Sequence, residues 1–178
     1  MDPIIEQLAK ELDKQPQHVE NVVRLLDEGN TIPFIARYRK ELHGAMVLPD
    51  GRVVTGKTSD TLGAASALLL NALKAVGGID DQFELISAQV LEPVCNLKTR
   101  YLGHRNPRLH TDEVLMALTI SALTNPLAEL AQQQLPKLRG CDAHFTVVLS
   151  DVDEKLLKRL GINVSCEAKY ETKKLYHK

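Results

Sequence analysis

The sequence predicts an α/β fold, a sheet covered on both faces by helices, preceded by a small three-helix segment. Apolar residues change from helical spacing to strand-like alternation near residues 44–46, which indicates a boundary. Beyond it, β-branched runs alternate with amphipathic helices, the pattern of a sheet with helical layers. No residue between Asp60 and Lys74 carries a full charge, so the helix predicted there must be buried. We therefore assign residues 1–45 to the helical segment and residues 46–178 to the α/β domain.

Composition excludes several classes of protein. The chain has 178 residues, of which 44% are hydrophobic and 25% charged, as in folded globular proteins, and its net charge of −1 gives no general attraction to nucleic acid or membranes. No apolar run approaches the ~20 residues that a membrane span requires, and the N-terminus lacks the features of a secretory signal, so we expect a cytoplasmic protein without membrane contact. Cys95, Cys141 and Cys166 form no CxxC motif, which argues against a disulfide framework or a zinc finger.

The first 45 residues contain three short stretches with helical apolar spacing. The third presents a basic face, which could contact the phosphates of nucleic acid through Arg37, Arg39 and Lys40. Acidic neighbours, among them Glu41, partly neutralise this face. The alternative is therefore an ordinary solvated surface.

Asp50-Gly51 lies between two β-branched runs and predicts a hairpin turn, with paired strands at Val47–Leu48 and Arg52–Thr55. The stretch from Gly51 to Thr58 also satisfies the phosphate-loop pattern GxxxxGK[ST]. A phosphate loop needs a compact turn where this sequence has the β-branched residues of a strand, and no acidic partner for magnesium is evident. We therefore do not interpret the pattern as a nucleotide site.

A weaker form of anion binding remains open at the same place. Lys57, Thr58 and Ser59 precede the buried helix, and backbone amides at a helix N-terminus attract anions. We expect Thr58, Ser59 or Asp60 to cap this helix, which should run from Leu62 to Val76.

The remaining elements follow from periodicity, caps and helix breakers. We expect, in order, a strand at Phe83–Ile86, a helix from Ser87 to Tyr101, helices that start at Thr111 and Pro126, a strand at His144–Leu149, a helix at Ser150–Leu160 and a strand at Ile162–Cys166.

A polar loop before the Thr111 helix is the second candidate for anion binding, through His104, Arg105, Arg108 and His110. Asp112 and Glu113 follow, and a histidine near carboxylates can also transfer protons. In the structural alternative, the two acidic residues complement the helix dipole while the arginines lie in solvent. Nothing fixes a nucleophile or a metal-ligand spacing, so we assign no catalytic residue, metal or cofactor.

The run LLDEGNTIPFIARYRKELHG, from Leu25 to Gly44, preceded by IIEQLAKEL and QHVENVV, resembles the extreme N-terminus of the Tex family of bacterial transcription accessory proteins, chiefly through IPFIARYRKE. This resemblance covers about the first quarter of the chain. It implies nucleic-acid association, which in that family is placed largely in downstream helical and OB-like modules that this sequence does not contain.

LPDGRVVTGKTSDTLGAASALLLNALKAVGGIDD, NPRLHTDEVLMALTISALTNPLAELA, QLPKLRGCDAH and TKKLYHK resemble the C-terminal domain of the bacterial family called domain of unknown function 1846, over nearly all of residues 47–178. The resemblance implies a missing N-terminal portion and a three-layer αβα sandwich similar to cytidine deaminases. The deaminase zinc motifs are replaced here by His110-Thr-Asp and Pro93-Val-Cys95-Asn, so we expect no zinc site and no deaminase activity.

These observations favour a non-catalytic domain that binds a partner or an anion, fused to the Tex-like segment. Two alternatives are a nucleic-acid-associated transcription accessory fragment and a fragment of a nucleotide- or phosphate-using enzyme that lacks its upstream domain. Because the sequence joins two unlike pieces, a further alternative is a fusion or gene-rearrangement product with no evolved activity. We expect a homo-oligomer or a protein partner, because an isolated C-terminal domain would expose surface that its neighbour covered.

Overall fold

A computed structural model describes residues 3–11, 13–27 and 43–167 of the chain. They contain a four-stranded sheet in the order β2-β1-β3-β4, in which β1 is antiparallel to both β2 and β3, and β4 is parallel to β3. The strands are β1 (Gly44–Val47), β2 (Val53–Gly56), β3 (Asp142–Phe145) and β4 (Asn163–Cys166). The predicted mixed α/β class is confirmed.

Seven α-helices lie in the described residues: α1 (Pro3–Glu11), α2 (Pro16–Asp27), α3 (Ala64–Gly77), α4 (Ala88–Asn96), α5 (Thr111–Ser121), α6 (Pro126–Gln133) and α7 (Asp151–Arg159). A π-helical turn, Leu97–Tyr101, extends α4, and a 3-10 turn, Leu135–Leu138, follows α6. In the described part of the chain, none of the helices has the length and apolar character needed to cross a bilayer.

The sequence correctly predicts that α3 is the buried helix. Leu68, Leu69 and Leu73 are fully buried where α3 packs against β1 and β2. Its predicted start is wrong, because α3 begins at Ala64, after an extended Gly63 that supplies no side-chain cap. Leu62 instead forms a parallel bridge with Leu109, which holds it outside the helix.

Gly56, which belongs to the apparent phosphate-loop pattern, is required for the packing of β2 against α3. A Cβ atom at this position would lie 2.6 Å from both the Cα and the Cβ of Leu68 and would also meet the Leu68 backbone nitrogen. Since only glycine permits this approach, β2 can contact the backbone of α3 directly. As expected, Val53 to Gly56 forms a strand and not a compact loop.

The predicted hairpin is confirmed, although its turn has three residues. Leu48 N donates to Arg52 O at 2.8 Å, and Gly51 N donates to Leu48 O at 2.9 Å. Gly51 adopts a left-handed φ of 84°, as a three-residue hairpin with a glycine bulge requires. The strand bounds therefore lie a few residues from those predicted.

The strand predicted at Phe83–Ile86 is wrong, because this segment is irregular. Leu85 and Ile86 are buried in the core, while the side-chain amide of Asn125 donates to Leu85 O at 3.4 Å and to Glu84 O at 3.3 Å. A side chain thus supplies hydrogen bonds that a neighbouring strand would otherwise give. Asn125 also caps α6, as the Asn-Pro sequence predicts, by accepting from Leu127 N.

The strand predicted at His144–Leu149 is shorter and starts earlier, as β3 ends at Phe145. The helix predicted at Ser150–Leu160 is confirmed as α7, with Ser150 Oγ accepting from Asp153 N at 3.1 Å. The final strand is confirmed as β4. As a result, Val147 to Leu149 lies in the connection between β3 and α7.

Helices α1 and α2 pack through the buried residues Ile5, Ala9 and Val19. His18 Nδ1 lies 3.0 Å from Pro49 O, so α2 contacts the hairpin turn. The third helix predicted in the first segment, together with Arg37, Arg39 and Lys40, lies outside the described residues.

Replacing Gly56 with Ala should destabilise the fold by about 3 kcal/mol, because the new methyl group meets backbone atoms that cannot rotate away. Gly77→Ala is the matched control, since its nearest atom is Gln134 Cγ at 3.3 Å and alanine favours a helix by roughly 0.5–1 kcal/mol. Urea unfolding midpoints test both changes. Equal midpoints for wild type and Gly56→Ala would contradict this packing account.

Candidate anion-binding pocket

A cavity of about 280 Å³ opens where the starts of three helices meet. It is lined by residues 63–65 at the start of α3, by Asn106 and residues 108–110 before α5, and by residues 147–150 with Asp153 at the start of α7. Glycine, histidine and serine occupy the N-cap positions of these helices, as Gly63, His110 and Ser150. The positive ends of three helix dipoles therefore border one cavity.

The loop before α5 is fixed against α3 by backbone hydrogen bonds around the buried Leu109. Leu109 N donates to Thr61 O at 2.8 Å, and Leu109 O accepts from Gly63 N at 3.3 Å. Ser66 Oγ donates to the same carbonyl at 2.8 Å. These bonds hold the polar loop at the mouth of the cavity and explain why Ser66 is buried.

Asp153 is only 7% exposed, and its carboxylate joins α7 to the start of α5. Its Oδ1 accepts from Thr111 N at 2.8 Å and Thr111 Oγ1 at 2.9 Å. Its Oδ2 accepts from Ser150 Oγ at 2.9 Å and lies 3.1 Å from His110 Nδ1. A buried carboxylate requires such partners, and here four groups provide them.

The hydrogen bond with Asp153 raises the pKa of His110 and outweighs the opposing effect of burial. Burial alone would raise the pKa of Asp153, but its hydrogen bonds with His110, Thr111 and Ser150 hold it below the usual value. These bonds use Nδ1 of the histidine ring, whose side chain is 36% exposed. Nε2 is therefore the ring nitrogen that can meet a ligand.

His110, Asp153 and Ser150 do not form a nucleophilic triad. A serine nucleophile requires the two ring nitrogens to have different partners, one the hydroxyl and the other the carboxylate. Here Ser150 Oγ and Asp153 Oδ2 approach the same nitrogen, Nδ1, at 3.3 and 3.1 Å. The arrangement orients the imidazole and favours its charged form, and it leaves the serine unactivated.

Helix α3 presents backbone donors to the cavity. Ala64 and Ala65 line the cavity in the first helical turn, where N–H groups have no intrahelical acceptor. Gly63 supplies no side-chain cap, and among the described residues no acceptor contacts these two amides. The amides can therefore donate to a bound anion.

A partly buried ion pair between Lys98 and Glu113 holds the loop before α5 in place. The ammonium group of Lys98 donates to Glu113 Oε1 at 2.9 Å and also to Arg108 O. Glu113 Oε1 in turn accepts from His110 N at 3.2 Å. Lys98 thus fixes both ends of the segment that carries the cavity-lining residues Arg108 and His110.

The structure brings the two predicted anion-binding segments together. Arg108 Nε donates to Ser59 O at 2.7 Å, so the loop before α5 contacts the corner that follows β2. Of the residues predicted to bind an anion, only Arg108 and His110 line the cavity at the starts of α3, α5 and α7. His104 and Arg105 are exposed and are not among its lining residues.

Lys57, Thr58 and Ser59 do not lie at a helix N-terminus, because α3 starts five residues after Ser59. Lys57 is exposed, while Thr58 Oγ1 lies 2.9 Å from His43 Nδ1. Ser59 Oγ accepts from Leu62 N at 3.0 Å and so caps a turn. Anion binding by these three residues stays a prediction.

Sequence reasoning missed Asp153 and Lys98 as parts of the site. Asp153 lies 43 residues after His110, and no local motif connects them. The signal that could have found Asp153 is its place three residues after the predicted cap Ser150, in the first turn of a helix that follows a strand.

Within residues 3–11, 13–27 and 43–167, no group of three His, Cys, Asp or Glu side chains could hold a metal ion. The three cysteines are free thiols, and burial raises the pKa of Cys141 to about 11. A thiol with a raised pKa is a poor nucleophile near neutral pH.

A family model described as "Domain of unknown function DUF1846, C-terminal" matches residues 15–176. The chain belongs to this DUF1846 family. The match begins within the segment compared above with Tex, and the resemblance to Tex stays a prediction. Membership in the family confirms the resemblance noted for residues 47–178.

Curated relatives are bacterial. A "UPF0371 protein" of Corynebacterium efficiens is 54% identical over 134 residues, which are 75% of this chain and 27% of the relative. Another, of Streptococcus equi subsp. zooepidemicus, is 39% identical over 175 residues, which are 96% of this chain and 35% of the relative. This DUF1846 domain therefore corresponds to about a third or less of these relatives.

Asp153→Asn should lower the pKa of His110 towards its ordinary value, because the variant loses the carboxylate that stabilises the imidazolium. NMR titration of the His110 ring measures this pKa, with Asp151→Asn in the exposed first turn of α7 as control. An unchanged His110 pKa in Asp153→Asn would contradict the assigned pairing.

The same pair makes stability depend on pH, with a different sign for each partner. The raised pKa of His110 adds stability that is fully present below the pKa of the unfolded state. This stability is lost as pH rises through the pKa of the folded state. The lowered pKa of Asp153 adds stability that is present above the pKa of the unfolded state. This stability is lost as pH falls through the pKa of the folded state. The stability difference between wild type and Asp153→Asn should therefore be largest between about pH 4 and 6.5.

Proposed function

We propose that this DUF1846 domain binds a small anion in the cavity between the starts of α3, α5 and α7. One observation carries the proposal: the unpaired amides of Ala64 and Ala65 line the same cavity as His110, whose Nδ1 is held by Asp153. Backbone amides at a helix start and a cationic imidazole are both donors to anions. Arg108 adds positive charge at the same wall.

The carboxylate of Asp153 does not prevent anion binding. Both of its oxygens accept hydrogen bonds, from Thr111, Ser150 and His110, and the residue is buried. Protonation of His110 balances its charge, so the pair presents an N–H donor at Nε2 without net negative charge. Anion binding should therefore be tighter on the acidic side of the His110 pKa.

A second candidate function is contact with a partner protein or another copy of the chain. Met116 and Ile120 on α5 and Leu123 in the turn that follows it keep helical spacing and are 65%, 58% and 82% exposed. Such an apolar stripe on a helix face is typical of an interaction surface. It supports the expected partner or homo-oligomer without identifying either.

The three-layer αβα arrangement is part of the proposal. Its support is that both faces of β1 are buried, at Met46 on one side and at Ala45 and Val47 on the other. Residues on alternate faces of a strand can be buried together only if chain covers both faces of the sheet.

Ala64→Pro tests the proposed site by removing one amide donor. Ala64 is the first helical residue, where proline is tolerated, and Gly63 already has the φ of −69° and ψ of 162° suited to the residue before a proline. Loss of one charge-assisted hydrogen bond should weaken phosphate binding about tenfold.

Isothermal titration with inorganic phosphate measures the affinity, and Ala64→Ser, which retains the amide, is the control. Unfolding midpoints verify that each variant is folded. Equal phosphate affinity in wild type and folded Ala64→Pro would exclude the proposed site.

A further inference from the structure

We infer that the ligand of this cavity is an organic anion, a compact apolar group attached to a phosphate-like head, and not an inorganic ion. The inference rests on the proposed anion site and goes beyond it by naming the ligand class. Its basis is the size of the cavity and the apolar character of one wall.

The cavity is larger than an inorganic anion needs. Its volume of about 280 Å³ approaches the roughly 300 Å³ at which pockets for small organic ligands begin. One water occupies about 30 Å³ in the liquid, so an ion of a few heavy atoms would leave most of this space to solvent. An organic group beside the charged head would fill it.

The wall formed by Val147, Val148 and Leu149 is apolar. Two of them are β-branched valines, which are typical of a strand, yet β3 ends at Phe145 and all three line the cavity from the connection to α7. Val148 is 40% exposed, although a residue of its type is usually covered. An apolar group of the ligand would remove this surface from water.

The charged and apolar walls come from different segments. Donors belong to the start of α3 and to His110, whereas the apolar wall belongs to the connection after β3. A ligand with one anionic end and one apolar end matches this division. A ligand that is charged throughout would place a polar group against Val148 without a partner.

Phenyl phosphate is the probe for this ligand class, and inorganic phosphate and phenol represent its two halves. Wild type should bind phenyl phosphate at least about tenfold more tightly than inorganic phosphate, because the ring is buried against the apolar wall. Phenol should bind more weakly than phenyl phosphate, since it lacks the head that the amides recognise.

Val148→Asn should reduce the affinity for phenyl phosphate to near that for inorganic phosphate, while leaving inorganic phosphate unaffected. Val152→Asn is the matched control, because Val152 is an exposed valine on α7 outside the cavity lining. Urea midpoints verify that both variants are folded.

The outcomes separate the two proposals. Equal affinities of wild type for phosphate and phenyl phosphate, with Ala64→Pro still weakening both, would overturn the ligand class and leave the anion site intact. Equal effects of Val148→Asn on the two ligands would also overturn it. No saturable binding of either phosphate would reject the anion site itself, and the inferred class with it.

Discussion

Burial of the Asp153 carboxylate costs desolvation free energy, and the hydrogen bonds that offset this cost determine the arrangement of the pocket. Four donors surround the carboxylate, and they come from Ser150 at the cap of α7, from Thr111 at the start of α5 and from His110. An unpaired buried charge would cost several kcal/mol, so these donors hold the two helix starts together. The same hydrogen bonds orient the imidazole and favour its charged form. Structure and electrostatics of the cavity thus depend on one buried group.

The other side of the cavity depends on close backbone packing. Gly56 allows β2 to approach α3 at Leu68, and Leu109 ties the polar loop to the residues just before α3. The helix therefore starts at the cavity without a side-chain cap, and its first amides remain available. Caps such as Ser150 and Asn125 stabilise the starts of α7 and α6, whereas the start of α3, like that of α4 after Ser87, has no side-chain cap.

Local signals in the sequence predicted much of the fold. The uncharged stretch after Asp60 identified the buried helix, Asp50-Gly51 identified the hairpin, and Ser150 and Asn125-Pro126 identified helix starts. At Phe83–Ile86 the apolar composition predicted a strand, but the segment is irregular. Its apolar composition instead reflects the burial of Leu85 and Ile86 in the core. The pairing of His110 with Asp153 could not be predicted, since it joins residues far apart in the chain through the packing of α5 on α7. The deaminase-like topology, which the family resemblance implies, stays a prediction.

Central to this account is that the start of α3 donates its free amides to an anion beside His110. The most direct measurement follows backbone amide chemical shifts by heteronuclear NMR while phenyl phosphate is added to the wild-type chain. The account predicts that the Ala64 and Ala65 amides and the His110 ring shift together along a single saturating curve. Saturable shifts confined to another surface, with Ala64 and Ala65 unmoved, would contradict it.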